Sequence, residues 1–239
     1  MGKGIFIIGT DTDVGKTFVT AGITYKLKEY GFRVTPFKPI QSGGILDKEE
    51  KKLISPDIRY IEDICDIKNK HVDQNQTMMN IYCLREEVSP HLAAKMEDIK
   101  ISKEEIINQY KKLINEYDYV IVEGAGGIVV PLIDNEYFIY DLIQDLKLDV
   151  LIVARAGVGT INHTVLTAGF LKQKNIDCKG IMINKYNGKF YEDDNIQMIK
   201  NLTGLNIIDT FCNVENPTKD NIIKEYKKLS LKRILNLFN

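Results

Sequence analysis

Ile5-Phe6-Ile7-Ile8-Gly9-Thr10-Asp11-Thr12-Asp13-Val14-Gly15-Lys16-Thr17 is the stretch that decides the fold of this chain. Its first four residues suit a buried strand, and from Lys16 apolar residues recur at helical spacing until Gly31. A loop ending in Gly-Lys-Thr between a strand and a helix is typical of a phosphate-binding loop. Its backbone N–H groups can hold a polyphosphate, Lys16 can neutralise the terminal oxygens, and the Thr17 hydroxyl can bind Mg²⁺. The stretch therefore predicts nucleotide binding.

The spacing of this loop departs from the usual motif. Five residues separate Gly9 from Gly15 where four are usual, so Thr10 stands at the usual glycine position.

Composition excludes several other classes of protein. The 239 residues, 44% hydrophobic and 27% charged, are ordinary for a soluble globule, and a net charge of −1 gives no electrostatic case for nucleic acid as a partner. No run approaches the ~20 apolar residues of a membrane span, and no charged leader precedes the first strand, so we expect a cytoplasmic protein without a membrane partner. The four cysteines are widely separated and form no Cys-x-x-Cys pair, which favours reduced thiols.

Strand-like and helix-like segments alternate along the chain without a linker or a repeat, which predicts a single domain over residues 1–239. The predicted strands are Gly4–Gly9, Arg33–Lys38, Tyr119–Glu123, Val150–Ala154, Gly180–Asn184 and Asn206–Phe211. The predicted helices include one that follows a capping box at 102–105, together with Thr160–Lys174, Glu192–Leu202 and Asn221–Leu237. Such alternation indicates an α/β fold of the P-loop NTPase type, with a mostly parallel, doubly wound sheet flanked by helices. Residues 43–56 and 66–87 are expected to be loop-rich.

Charged residues stand where predicted strands end, which is where such sheets bind ligands. Lys38 follows the second strand, and Ser42 lies four residues on; a lysine there is either solvated or placed to stabilise a transferred phosphoryl group. Glu123 ends the third strand before a small-residue turn, as expected of a second Mg²⁺ contact. Asp57 starts a helix, where an acid is often only a partner of the helix dipole, so its role stays open.

Two other features, the polar residues at the fifth strand and the three histidines, are less specific indicators of a functional site. Asn184 and Lys185, placed after the fifth strand, either reach a nucleotide base or cap the strand. The histidines at 71, 91 and 163 have no ligand-like spacing, which favours structural roles over a metal site or a catalytic triad.

Taken together, these segments resemble the dethiobiotin synthetase family. The matching blocks are Gly9–Thr17, Lys38–Gly43, Ser89–Ala94, Glu123–Gly127 with Pro131-Leu132, Gly159–His163 and Asn184. They occur in the family's order and cover most of the chain from residue 4 to about residue 185. The phosphate loop is shared by many families, whereas Lys-Pro-x-x-Ser-Gly with Ser-Pro-His and Glu-Gly-Ala-Gly-Gly is far more restrictive.

The resemblance implies an ATP- and Mg²⁺-dependent ligase that closes a cyclic urea from 7,8-diaminononanoate and CO₂. One amine forms a carbamate, ATP phosphorylates it, and the second amine closes the ring with loss of phosphate. Carried over by position, the nucleotide-binding set comprises Asp13, Val14, Gly15, Lys16, Thr17, Phe18, Asp57, Glu123, Gly124, Ala125, Gly126, Asn184 and Lys185. Within it, Thr17, Asp57 and Glu123 would bind Mg²⁺.

The resemblance also implies where the substrate lies. Lys38 would be catalytic, stabilising the carbamate and the migrating phosphoryl group, while Thr12 and Ser42 would contact the diamine. Family members are homodimers, and the helix start that includes Asn162 would bind the substrate carboxylate across the interface.

Two rival classes share the phosphate loop. Cobyrinate amidases carry an additional glutamine-hydrolysing domain, for which this chain has no room. Partitioning ATPases place a second lysine early in the loop, where this chain has Thr10, Asp11 and Thr12. A membrane-targeting role for the C-terminal helix is less favoured than core packing of Leu231–Phe238.

One departure from the family generates a prediction about nucleotide selectivity. Relatives usually carry a Gly-x-Ile-Pro-like turn beside the base, whereas this chain has Ile208-Asp209-Thr210-Phe211-Cys212. We expect weaker selection of ATP over CTP and GTP than in relatives that keep the turn. Competition assays test this: a preference for ATP above about tenfold, or ~1.4 kcal/mol, contradicts it.

Overall fold

The structure is a computed structural model that describes residues 2–47, 51–69 and 77–239. Within these residues the strands are β1 Lys3–Gly9, β2 Val34–Phe37, β3 Ile40–Ser42, β4 Ile45–Asp47, β5 Lys52–Ile54, β6 Tyr82–Leu84, β7 Tyr119–Glu123, β8 Pro131–Ile133, β9 Tyr137–Phe138, β10 Val150–Arg155, β11 Cys178–Tyr186 and β12 Ile207–Cys212. The helices are α1 Lys16–Glu29, α2 Pro56–Cys65, α3 Pro90–Met96, α4 Lys103–Glu116, α5 Ile139–Leu146, α6 Thr160–Gln173, α7 Glu192–Thr203, α8 Lys219–Lys227 and α9 Leu231–Asn236.

Six parallel strands form the central sheet in the order β12-β11-β10-β1-β7-β2. The chain runs from β1 to the edge strand β2, returns to insert β7 between them, and later places β10 on the other side of β1. The direction of winding therefore reverses beside β1, and ligands bind such sheets at the carboxyl ends of the strands at this point. The loop that follows β1 lies there, which confirms the predicted fold class.

Successive residues of β1 face two separate hydrophobic cores. Phe6 and Ile8 belong to the core covered by α4 and α5, whereas Ile5 and Ile7 belong to the core covered by α1, α2, α8 and α9. All four side chains are fully buried. A strand covered on both faces reads as a continuous apolar run, which is why this one was recognisable.

The predicted C-terminal helix over 221–237 is wrong in one respect, because the segment forms two helices. The chain turns after α8, and the Ser230 hydroxyl accepts a hydrogen bond from the Arg233 N–H and so starts α9. Ile234 and Leu237 are buried in the core that contains β1, as expected of core packing. Among the helices of the described ranges, none has the length and apolar character needed to cross a membrane.

The predicted capping box is only half formed. The Ser102 hydroxyl accepts from the Glu105 N–H at 3.3 Å, as predicted. The return bond is replaced by a relay, because the Ser102 N–H donates to the Tyr82 hydroxyl at 2.9 Å and that hydroxyl donates to the Glu105 carboxylate. Tyr82 of β6 thus links the start of α4 to the segment that sequence patterns indicated as loop.

The two segments expected to be loop-rich contain short strands. β3 pairs in parallel with β6, and β4 pairs antiparallel with β5. Each of these strands has three residues, which is too short for an alternating pattern to be visible in the sequence. All four cysteines are free thiols, as predicted.

Leu113 generates a test of the packing of α4. Its side chain is fully buried, so Leu113→Ala should lower the free energy of unfolding by about 2–5 kcal/mol. Leu202 of α7 is 57% exposed, and Leu202→Ala should change that free energy by less than about 0.5 kcal/mol. Urea unfolding of both variants checks this; equal effects would contradict the assigned packing.

Candidate functional site

The loop between β1 and α1 has the backbone of an anion-binding site. Gly15 caps α1 in a left-handed conformation with φ of 93°, and Asp13 has φ of 58°. Gly15 is also constrained sterically, because an added Cβ would lie 1.9 Å from the Asn184 amide nitrogen. Lys16 is buried, and its ammonium donates to the Asp11 carbonyl at 3.3 Å.

Lys38 places a buried ammonium between two carboxylates. Its Nζ lies 2.6 Å from Asp57 Oδ2 and 2.9 Å from Glu123 Oε1, and it donates to the Gly124 carbonyl at 3.2 Å. The Lys38 backbone is fixed as well, since its N–H donates to the Met79 carbonyl at 2.8 Å. The structure therefore decides against a merely solvated lysine at this strand end.

The pKa shifts follow from this crowding of charges. Burial opposes the charge of Lys38, but attraction by Glu123 and Asp57 raises its pKa above the ordinary value. Burial also works against ionised Asp57, yet the charge and hydrogen bond of Lys38 lower the pKa of that carboxyl. Burial, followed by repulsion from Lys38, lowers the pKa of Lys16 to about 8. A bound anion would relieve this repulsion.

Thr17, Asp57 and Glu123 form a donor set that fits Mg²⁺. The Thr17 hydroxyl donates to Glu123 Oε1 at 2.9 Å, and Glu123 Oε2 is buried without a hydrogen-bond partner. Within residues 2–47, 51–69 and 77–239, no three His, Cys, Asp or Glu side chains gather as a metal cluster. Two carboxylates and a hydroxyl are nevertheless suitable, because Mg²⁺ prefers oxygen ligands and usually keeps several waters and substrate phosphates.

Asp57 reaches this set because of the way α2 starts. The Ser55 hydroxyl accepts from the Ile58 N–H at 3.2 Å and donates to Gln41 Oε1 at 2.9 Å, and Pro56 occupies the first turn. The acid in the first turn is therefore tied to β3 and to Lys38, so its position is more than a favourable interaction with the helix dipole.

A cavity of about 500 Å³ opens over these groups. It contains most of the residues predicted for phosphate and substrate. Its lining is Thr12, Asp13, Gly15, Lys16, Thr17, Lys38, Gln41, Ser42, Asp57, Glu87, Glu123, Ala125, Gly126 and Lys185. Sequence reasoning missed Gln41 and Glu87. Gln41 lay inside a quoted block without a visible role, and no pattern pointed to Glu87. We refer to this space as the reaction cavity.

A second cavity of about 540 Å³ adjoins the same loop on the side of β11 and β12. Its lining is Gly15, Thr17, Phe18, Pro56, Asp57, Tyr60, Asn184, Lys185, Cys212, Asn213, Val214, Pro217 and Ile222. Phe18 packs edge-on against Phe211 and Tyr226, with ring centroids 5.2 and 4.9 Å apart. We refer to this largely apolar space as the base cavity.

Asn184 and Lys185 both lie within β11, which continues to Tyr186 and so extends past the predicted strand end at Asn184. Asn184 is buried, and its Nδ2 donates to the Val14 carbonyl at 3.0 Å. The Lys185 Nζ donates to the Asp13 carbonyl at 2.8 Å. Both residues line the base cavity while they hold the phosphate loop.

Three predicted site residues, Val14, Gly124 and Asn162, line neither cavity. Val14 is buried, and its carbonyl accepts a hydrogen bond from Asn184. Gly124 contributes through its backbone, because its N–H donates to the Ile7 carbonyl and its carbonyl accepts from Lys38. Asn162 is exposed on the first turn of α6. Among the histidines, His163 lies 4.0 Å from Asp11 Oδ2 and His91 lies on α3, whereas position 71 falls outside the described residues.

A parallel sheet with this loop at its switch point, a buried lysine pair and an oxygen ligand set defines the P-loop class of nucleotide-binding proteins. Solved structures agree on the fold. The chain superposes with a ParA family ATPase from Chlorobium tepidum at a TM-score of 0.57 and 12% identity, covering 100% of this chain and 97% of that one. It superposes with MinD from Pyrococcus horikoshii, solved with Mg-ADP, at a TM-score of 0.57 and 16% identity, covering 99% of this chain and 94% of that one.

Sequence comparisons are more specific. The chain matches a family model described as an AAA domain over residues 3–219. It is 40% identical over 239 residues to an ATP-dependent dethiobiotin synthetase from Clostridium novyi, covering 98% of each chain. It is 41% identical over 223 residues to one from Anoxybacillus flavithermus, covering 92% of this chain and 96% of the relative. The chain belongs to the dethiobiotin synthetase family.

The buried ion cluster generates a prediction about stability. Lys38→Met leaves Asp57 and Glu123 without their ammonium, and should lower the free energy of unfolding by about 3 kcal/mol. Millimolar Mg²⁺ should restore part of this loss, because the metal can take the place of the missing cation.

Urea unfolding with and without Mg²⁺ measures both effects. Lys189→Met is the matched control, since this exposed lysine lies outside both cavities. A Lys38→Met protein as stable as the control variant would contradict the electrostatic role of the cluster.

Proposed function

We propose that this protein is an ATP- and Mg²⁺-dependent ligase that makes the cyclic urea dethiobiotin from 7,8-diaminononanoate and CO₂, as a single domain over residues 1–239. The observation that carries the proposal is the Lys38 ammonium beside a phosphate loop and two carboxylates, in a chain about 40% identical to named dethiobiotin synthetases. The free thiols fit a reducing compartment such as the cytoplasm.

The phosphate loop would hold the triphosphate. Backbone N–H groups of residues Asp13 to Phe18, which form the loop and the first turn of α1, would bind the phosphate oxygens, and Lys16 would neutralise the β- and γ-phosphates. Thr17, Asp57 and Glu123 would hold Mg²⁺, which would neutralise charge on the phosphate oxygens. Ala125 and Gly126 line the reaction cavity with little side chain, which would leave room for the transferred group, while Gly124 would contribute through its backbone.

The reaction cavity has the charges that the chemistry needs. One neutral amine of the diamine attacks CO₂, loses a proton to solvent and becomes a carbamate, with Thr12 and Ser42 as hydrogen-bonding groups. Lys38 then attracts both the carbamate and the equatorial oxygens of the γ-phosphate, which lowers the repulsion between two anions. A carbamate oxygen attacks the γ-phosphorus, and ADP leaves.

Ring closure needs no further group from ATP. The second amine attacks the carbamate carbon, the bond from that carbon to the phosphorylated oxygen breaks, and phosphate leaves with the electron pair. The amine proton passes to solvent or to a carboxylate of the cavity. The products are the cyclic urea, ADP and phosphate, so atoms and charges balance.

The base cavity would hold adenine. Phe18 and the residues after β12 would provide apolar walls, and Asn184 and Lys185 are among its polar lining groups. The altered segment at 208–212 leads into Cys212 and Asn213 of this cavity, so weaker selection of ATP stays a prediction.

The proposal includes a homodimer. Asn162 is exposed and lines neither cavity of its own chain, as expected if it contacts substrate bound to a partner. Val158 and Leu166, on either side of it, are 89% and 64% exposed. Sedimentation equilibrium tests the dimer: a monomer under assay conditions, with unchanged activity in Asn162→Ala, would contradict it.

Phosphate release from ATP is the direct test of the activity. Purified protein should release phosphate only when the diamine and bicarbonate are both present, because the carbamate is the acceptor. Hydrolysis at the same rate without the diamine would contradict the synthetase function and favour a switch ATPase.

Lys38→Ala tests the assignment of the catalytic lysine. Turnover should fall by about 10²-fold or more, since the ammonium stabilises charge in the transition state, while nucleotide binding persists. Single-turnover phosphate release and calorimetric ATP binding separate the two effects. Retained turnover would remove Lys38 from the catalytic residues.

Cys212 reports on the base cavity. It is the exposed thiol of the four, whereas burial raises the pKa of Cys65 and Cys83 to about 12 and keeps them protonated. Iodoacetamide should therefore alkylate Cys212 first, and ATP should slow this reaction. Inorganic tripolyphosphate, which has no base, should not slow it; equal protection by both ligands would place the base elsewhere.

A further inference from the structure

We infer that Asn184 and Lys185 are positioning residues for the phosphate loop, and that they hold it in its anion-binding conformation independently of the nucleotide base. The inference deepens the proposed function and rests on its assignment of the loop as the triphosphate site. We call the pair of hydrogen bonds that these residues make to the loop the β11 clamp.

The β11 clamp fixes two consecutive carbonyls. The Lys185 ammonium donates to the Asp13 carbonyl at 2.8 Å, and the Asn184 amide donates to the Val14 carbonyl at 3.0 Å. Adjacent residues at one strand end thus hold adjacent peptide groups of the loop.

Fixing these carbonyls also fixes the N–H groups that matter for binding. In a planar trans peptide the C=O and the following N–H point in opposite directions. Holding the carbonyls of Asp13 and Val14 against β11 therefore turns the N–H groups of Val14 and Gly15 away from β11. Backbone N–H groups presented in this way are the anion-binding element of such loops.

The backbone on both sides of the clamp is in an uncommon conformation. Asp13 has φ of 58° and Lys185 has φ of 57°, values that cost free energy in residues other than glycine. Gly15 has φ of 93° and no room for a side chain beside Asn184. The two hydrogen bonds contribute to holding a loop that would otherwise relax from these angles.

Burial distinguishes the two clamp residues and makes them complementary probes. Asn184 is 3% exposed, so it also supports packing, whereas Lys185 is exposed and its replacement leaves the core intact. If Asn184 served only to read adenine, a ligand without a base would not sense its loss. Inorganic tripolyphosphate is such a ligand.

The test compares the Kd of tripolyphosphate and of ATP, each with Mg²⁺, by calorimetry for Lys185→Met and Asn184→Leu. Both variants remove a donor, and leucine keeps the branched shape of asparagine. Each should weaken tripolyphosphate binding about fivefold, as expected from the loss of one hydrogen bond, and ATP binding at least as much. Lys189→Met removes a charge from the loop after β11 and should leave both affinities within about twofold.

Salt separates the hydrogen bond from a general charge effect. At ~1 M NaCl the Debye length is about 3 Å, so long-range attraction by Lys185 is screened while a direct bond persists. The ratio between wild-type and Lys185→Met affinities should therefore survive in 1 M NaCl. Thermal unfolding of each variant verifies that it is folded. If Asn184→Leu does not fold, the affinities of Lys185→Met alone test the inference.

The contradicting results are distinct. Tripolyphosphate affinities equal to wild type, with only ATP binding weakened, would overturn the clamp and leave base recognition as the role of both residues. A Lys185→Met effect that vanishes in high salt would overturn it as well. A wild-type protein that binds neither ligand would instead contradict the proposed function of the loop.

Discussion

The ion cluster of Lys38 with Asp57 and Glu123 is the constraint on which the rest of the site depends. Its three charges come from the end of β2, the start of α2 and the end of β7, so the cluster requires these elements to meet at one edge of the sheet. A buried ammonium is costly unless carboxylates surround it, and buried carboxylates are equally costly without the ammonium. The ammonium and the carboxylates can therefore be buried only if β2, α2 and β7 bring them together, and this meeting of elements is stable only if the charges are paired.

The same cluster connects stability to chemistry. Glu123 accepts hydrogen bonds from both Thr17 and Lys38 on one oxygen, while its other oxygen has no partner. Such an unsatisfied acceptor is unfavourable in the folded protein by itself and becomes favourable when a cation binds. Lys16 is similar, since burial and a neighbouring ammonium lower its pKa until an anion arrives. Both features agree with the proposed binding of a metal-bound polyphosphate at this site.

Sequence patterns were sufficient for the parts of this protein that local chemistry determines. The strand, loop and helix at residues 5–31 follow from apolar spacing and a glycine-rich turn. The strand-end positions of Glu123 and Lys38 predict that both lie beside this loop, as the structure shows, while their roles stay predictions. Sequence patterns leave the role of Asp57 open, because a first-turn acid has the same local sequence whether or not it binds a metal. The structure adds its ion pair with Lys38, which no local pattern indicates.

What the sequence did not reveal depends on contacts between distant segments. The relay from Ser102 through Tyr82 to Glu105 joins residues 20 or more positions apart, so no helix-capping pattern could indicate it. Gln41 reaches the reaction cavity from the three-residue strand β3, which is too short to show a period, and Glu87 reaches it from the irregular segment after β6. The clamp that Asn184 and Lys185 make on the phosphate loop spans about 170 residues, and a pattern within β11 carries no trace of it.

The central claim is that a carbamate oxygen attacks the γ-phosphate and leaves with it. Following ¹⁸O from labelled CO₂ into the released phosphate tests this most directly, because the bridging oxygen of the mixed anhydride comes from the carbamate. With diamine, ATP and Mg²⁺ present, mass spectrometry of the phosphate should show one ¹⁸O for each turnover, reduced only by exchange of label with water. Product formation with unlabelled phosphate, under conditions where the CO₂ keeps its label, would contradict the mechanism.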